Sequence, residues 1–227
     1  MKVEFLYPKL TNLLGENGSL NLFAEIFGQD NVVRTCYPER PRFLSEEIAL
    51  VFMGAMTEHT QKLILELLLP CQNEIRNSIA AGQHILFTGN SLDLLGEEIV
   101  YEHVGAVPAL NLYPFKTYTN RYDRYNDLVY GLFGEIEMIG FISQFTRYEG
   151  EMPGFISSAR GNFGLHDNNL FATSLLGPLV ITSPHFSKYL LASLGLDTGL
   201  PHEEALLIAF NERKRQIKDQ APKLLDI

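Results

Sequence analysis

At 227 residues the chain is long enough to bury one sizeable core, and its 46% apolar and 20% charged residues are an ordinary globular balance. A formal net charge of −9 argues against nucleic acid or an anionic membrane surface as the main partner. Two cysteines, Cys36 and Cys71, are too few for a disulfide framework or a zinc cage, and both are expected to be buried thiols in a reducing compartment.

Val3–Tyr7 reads as a first strand, closed by Pro8. It begins at once, with no signal-peptide apolar region, and the longest apolar run is far short of a membrane span. The expectation is a cytoplasmic protein without membrane insertion. After the polar stretch Asn12–Ser19, with Ser19 able to cap, Leu20, Phe23, Ile26 and Phe27 recur at helical spacing up to Gly28. Val32–Tyr37 is a second strand, and Pro38–Glu47 a surface loop. Ile48–Met53 is a continuous apolar run, as in a parallel strand covered on both faces.

Glu58–Ala81 is helical, with Leu63, Ile64, Leu67, Leu68, Cys71, Ile75 and Ile79 on one stripe and Pro70 kinking or splitting it. Gly82 ends it, and His84–Thr88 is a buried strand. From Tyr101 to Gln144 tyrosines and alternation predict antiparallel strands packed on an edge. Asn169–Leu176 is one more short strand, a helix follows from Ser183-Pro184 to Gly195, and an amphipathic helix covers about Pro201–Lys218. The pattern predicts a single domain over 1–227, an α/β three-layer sandwich with a mostly parallel central sheet and an antiparallel edge extension.

A strand turning sharply into a helix can lift one side chain beside an oxyanion hole, the geometry of a nucleophile elbow. The turn Thr88-Gly89-Asn90-Ser91-Leu92-Asp93-Leu94-Leu95-Gly96 has that placement. It resembles the elbow of the cobyric-acid-synthase-type glutamine amidotransferases, Cys-Gly-Gly-x-Gln-x-Leu-Gly. Within them the chain looks most like the GatD-like subunits that supply ammonia to a Mur-ligase-like partner in peptidoglycan amidation. Other stretches fall in the same order. Asn12-Leu13-Leu14-Gly15-Glu16-Asn17-Gly18 is similar to an N-terminal Asn-Leu-Tyr-x-Asp-x-Gly. Gly54-Ala55-Met56-Thr57-Glu58-His59-Thr60-Gln61 is similar to the Gly-Gly-Gly-x-Asp-x-x-Gln loop that helps form the oxyanion hole, and Thr119-Asn120-Arg121 to a Thr-Asn-Arg whose arginine holds the substrate carboxylate. Ile139-Gly140-Phe141 resembles the Val-Gly-Phe that precedes the family's Glu-Asn-His, which reads Ile142-Ser143-Gln144 here.

Against that pattern, Gly89 stands at the cysteine, and Leu176, in Thr173-Ser174-Leu175-Leu176-Gly177-Pro178, stands at the histidine of Thr-Tyr-x-His-Gly-Pro. Amide cleavage of this kind needs a thiolate and an imidazole, and neither hydrogen nor hydrocarbon replaces them. The resemblance therefore implies a degenerate enzyme, a binding or regulatory subunit of a Mur-ligase-like synthetase. Gly54, Ala55, Asn90, Ser91 and Arg121 are its substrate-pocket candidates. Two alternatives stand beside it. One is an active amidotransferase with a rebuilt nucleophile, Thr88 or Ser91, served by His166, placed in a loop, or His185. The other is a sensor of glutamine or another small amino acid held by Arg121. No phosphate-binding glycine motif and no histidine spacing suited to a metal occur, so no cofactor is expected.

Overall fold

The computed structural model describes residues 1–220. In its first part strands alternate with helices: β1 (Val3–Leu6), α1 (Asn17–Phe27), β2 (Val32–Thr35), β3 (Leu50–Met53), α2 (Glu58–Leu68), α3 (Gln72–Ala80) and β4 (His84–Thr88). Strands then dominate: β5 (Glu98–Tyr101), β6 (Gly105–Pro108), β7 (Phe115–Thr119), β8 (Tyr125–Phe133), β9 (Ile136–Gln144), β10 (Thr146–Gly150), β11 (Gly154–Ser158), β12 (Gly161–Asp167) and β13 (Leu170–Thr173). Helices α4 (Leu179–Thr182), α5 (Pro184–Ser193) and α6 (Glu203–Gln220) follow. Pro70, which can neither donate to nor fit a helix interior, separates α2 from α3 with the 3₁₀ turn Leu69–Cys71.

A nine-stranded sheet has the order β2-β1-β3-β4-β13-β12-β11-β8-β9. Its first five strands are parallel, and from β13 onward each pairing is antiparallel. The fold is thus mixed α/β with a parallel body and an antiparallel extension. Strand alternation sends Leu50 and Phe52 to one face, where Phe5, Phe23, Leu86, Phe171 and Phe186 pack. Val51 and Met53 point to the other, against Leu6, Ile64, Ile85, Leu94 and Phe115. With both faces covered, these strands are apolar throughout.

Several expectations give way. The segment from Glu98 to Gly150 supplies a second, four-stranded sheet, β10-β7-β5-β6, in which β5 and β7 run parallel. Strands β10, β11 and β12 occupy a region where composition alone signalled no element, and His166 lies in β12 rather than in a loop. Ser19 does not cap α1. It lies buried inside the helix, and the Asn12 carboxamide accepts the Asn17 N–H (2.7 Å) at the helix start. Cys71 is buried, but Cys36 is exposed, because β2 ends at Thr35 and the chain leaves the sheet there.

Candidate functional site

Strands β3, β4 and β13 run side by side, with Met53 level with Phe87 and Thr173 level with Thr88. What leaves their C-terminal ends converges at one place, where open α/β sheets form their sites. β3 delivers Gly54-Ala55-Met56, β4 delivers Gly89-Asn90, and β13 delivers Ser174-Leu175-Leu176.

β4 turns at Gly89, whose φ of +64° is the left-handed conformation that favours glycine. The chain continues as a 3₁₀ helix, Gly89–Leu95, where a regular helix is expected from the sequence. The Gly89 N–H donates to the Leu175 carbonyl (3.1 Å). Leu176 is fixed by a pair of bonds to β9: its N–H donates to the Phe141 carbonyl (2.7 Å) and its carbonyl accepts the Phe141 N–H (3.1 Å). Gly89 and Leu176 are thereby brought together. A Cβ placed on Gly89 would stand 2.6 Å from Leu176 Cδ2 and 2.6 Å from Ala55 Cβ. Carbon atoms pack at about 3.5–4.0 Å, so with these neighbours the elbow has no room for any side chain.

The pocket candidates separate into two groups. Ala55, Asn90, Gly89 and Leu176 line one cavity of about 270 Å³. Gly54 lies beneath it, where a Cβ would meet the Thr11 carbonyl at 2.5 Å and Glu16 Cβ at 2.8 Å. The Asn90 carboxamide staples the two turns, donating to the Met56 carbonyl (2.8 Å) and accepting the Met56 N–H (2.9 Å). Ser91 is fully buried, its hydroxyl within hydrogen-bond distance of the carbonyls of Thr88 (2.7 Å) and Met53 (3.1 Å). The Thr88 hydroxyl, equally buried, donates to Glu16 Oε2 (2.8 Å). Arg121 stands outside the cavity wall, its side chain 64% exposed and 3.5 Å from Glu58 Oε1. The cation on that wall is Arg124, three residues on, with its guanidinium 5.4 Å from the Phe145 ring centre.

No histidine lines the cavity. His166 stacks on Phe171 and abuts Phe133, and His185 sets its ring edge-on to Phe210. Among the described residues no cluster of three or more His, Cys, Asp and Glu could hold a metal ion.

A buried polar network forms the floor. Asp93 Oδ2 accepts from Gln61 Nε2 (3.0 Å) and Oδ1 from the Tyr148 hydroxyl (2.9 Å). Gln61 Nε2 also donates to the Asn90 carbonyl (2.8 Å), and the Tyr101 hydroxyl donates to Gln61 Oε1 (3.1 Å). Burial pushes the Asp93 carboxyl up to about 7, against the two donors that favour its charge. Behind the elbow Glu16 accepts from Thr88 and from the Gly177 N–H (2.8 Å), and burial raises its carboxyl too. Asp93, Gln61 and Glu16 were all inside the motif stretches, but their roles were not readable from them. Tyr148 had no sequence signal at all.

The sequence matches no family model and no curated protein. Among solved structures the chain is similar to one described as a crystal structure of glutamine amidotransferase, at 14% identity and a TM-score of 0.60, over 85% of this chain and 99% of that one. It is also similar to the structure of PurLQS from Thermotoga maritima, at 10% identity and a TM-score of 0.47, over 93% of this chain and 98% of that one. The chain has a glutamine-amidotransferase-like fold.

Proposed function

We propose that this chain is an amidotransferase-like protein that does not cleave glutamine and acts, in the cytoplasm, as a binding or regulatory subunit of a Mur-ligase-like synthetase. The observation that carries the first half is the closed elbow. Gly89 offers no nucleophile, and Leu176 Cδ2 and Ala55 Cβ occupy the space into which one would project. A substitute is not to hand. The Thr88 and Ser91 hydroxyls are buried and committed to acceptors, and the cavity has no imidazole to take a proton. The partner rests on the resemblance of the elbow and of the Asn12–Gly18, Gly54–Gln61 and Thr119–Arg121 stretches to GatD-like subunits. Arg121, already paired with Glu58, gives little support to a carboxylate-holding role.

The test is ammonia release from L-glutamine by the purified chain, alone and mixed with a candidate Mur-ligase-like synthetase. The expected result is none in either mixture, together with co-elution of the two proteins. Ammonia release that Ser91→Ala abolishes would overturn the inactive reading, and a synthetase that never co-elutes would overturn the partner. A sensor role is the second reading, and the open cavity of about 270 Å³ beside the closed elbow favours it.

A further inference from the structure

We propose that this cavity binds, without turnover, a small ligand carrying a protonated primary amine on an apolar body, the amine seated against Asp93 and Gln144. The inference rests on the reading of the site as non-hydrolytic.

Asp93 is 1% exposed and lies in the cavity floor, yet both groups bonded to its carboxylate, Gln61 and Tyr148, are neutral donors. A buried carboxylate without a cation is costly, and a cation brought in by a ligand offsets that cost. Gln144 lies on the same wall, and its Oε1 is buried with no hydrogen-bond partner. A native buried acceptor is nearly always satisfied, so an orphan beside a cavity points to a donor supplied from outside the chain. An ammonium group has three donors and no acceptor. That complement suits the unpartnered Gln144 amide oxygen and the remaining lone pairs of the Asp93 carboxylate.

The rest of the wall selects the body of the ligand. Leu13, Leu14, Met56, Phe145 and Leu176 present hydrocarbon, and Gly89 adds no side chain. Leu13 and Leu14, 42% and 57% exposed, keep apolar surface uncovered at the mouth. The cation in the lining, Arg124, belongs to an exposed residue stacked on Phe145 and has no acidic partner among the described residues. The hydrogen bonds of Asp93 come from Gln61 and Tyr148 rather than from Arg124, and the Gln144 amide oxygen has no partner.

Other charged and titratable groups face the floor from each neighbouring element. Glu58 on α2 is paired with Arg121, and Lys62 on α2 lies over the Tyr101 ring. Tyr101 on β5 and Tyr148 on β10 are held in the neutral form by burial, which raises both hydroxyls. Asp93 is therefore the group whose charge changes near neutrality, and an alkylamine, with a lysine-like value, stays protonated on both sides of it.

The test is calorimetric titration of the full chain with n-pentylamine at about pH 6 and about pH 8, with pentanoate and L-glutamine in parallel. With Asp93 titrating at about 7, its ionised fraction rises from about one tenth to about nine tenths over that range, so pentylamine is expected to bind about tenfold tighter at the higher pH. Asp93→Asn should remove that ratio, and Gln144→Met should weaken binding while keeping it. If Asp93→Asn does not fold, the wild-type ratio and Gln144→Met carry the test. No pentylamine binding, equal affinity at both pH values, or binding of pentanoate or L-glutamine alone would overturn the proposal. Ammonia release is read separately, so hydrolysis of glutamine would sink the inactive reading without deciding the amine titration.

Discussion

Adding one methyl group at Gly89 measures how closed the elbow is. In Gly89→Ala the new Cβ meets Ala55 Cβ and Leu176 Cδ2, each at 2.6 Å, more than half an ångström inside normal contact. The backbone at φ +64° also puts alanine in the left-handed region, a cost of roughly 1–2 kcal/mol. Overpacking adds about 1–3 kcal/mol, since the Leu176 backbone is clamped to β9 and cannot drift away freely. The total is about 2–5 kcal/mol, read as a fall in the urea midpoint with an unchanged slope. Leu176→Ala relieves one of the two clashes, so the double variant should be about 1 kcal/mol better than the sum of the singles. A Gly89→Ala protein within about 0.5 kcal/mol of wild type would refute the reasoning, because the elbow would then accept a side chain.

The stability of the fold should fall as pH rises from about 4 to about 7. The folded Asp93 carboxyl, at about 7, lies above its unfolded value of 3.8, so its contribution is complete below the unfolded value and lost as pH passes the folded one. Asp93→Asn should reduce that slope in urea titrations across the range, and a slope unchanged in the variant would count against the assignment; Glu16, also raised, acts in the same direction. Arg121→Ala should change stability by less than about 0.5 kcal/mol and leave ligand binding untouched, since the Arg121 side chain is 64% exposed and outside the cavity lining; loss of binding would restore it as an anchor. One thiol, Cys36, should react with an aromatic disulfide reagent in the native protein and Cys71 only after unfolding; two native thiols would contradict the burial of Cys71.

The parts of the fold that were legible in the sequence are those fixed by local chemistry. Pro70 splits the helix because it cannot do otherwise, and Leu50–Met53 reads as a covered strand because both of its faces are apolar. The second sheet was not legible. β5, β7 and β10 pair across long separations, and short strands such as Thr146–Gly150 have no strong alternation of their own. In the site, the elbow was visible as a strand ending at Thr88-Gly89, since a turn is a local event. Which of Arg121 and Arg124 reaches the cavity was not, because both follow β7 in an irregular turn where no period assigns a face. Asp93 lies in the motif but its chemistry was not legible there, since a carboxyl near neutrality is made by burial, and its two donors, Gln61 and Tyr148, are distant in the sequence.

A glycine turn opposite a small or polar residue would leave a hole, with backbone donors aimed at a vacant position. The arrangement around Gly89 differs in three ways that depend on one another. Leu176 fills the volume that Gly89 gives up. The Gly89 N–H is committed to the Leu175 carbonyl and the Met56 N–H to Asn90 Oδ1, so two donors beside the elbow are already bonded within the chain. The cavity that this corner lines keeps a desolvated carboxyl and an unpartnered amide oxygen. Packing alone accounts for the first two features, because each lowers the energy of the folded chain. It does not account for the third, a buried carboxyl whose charged form is disfavoured beside an amide oxygen without a partner, which a ligand with donors and positive charge would offset.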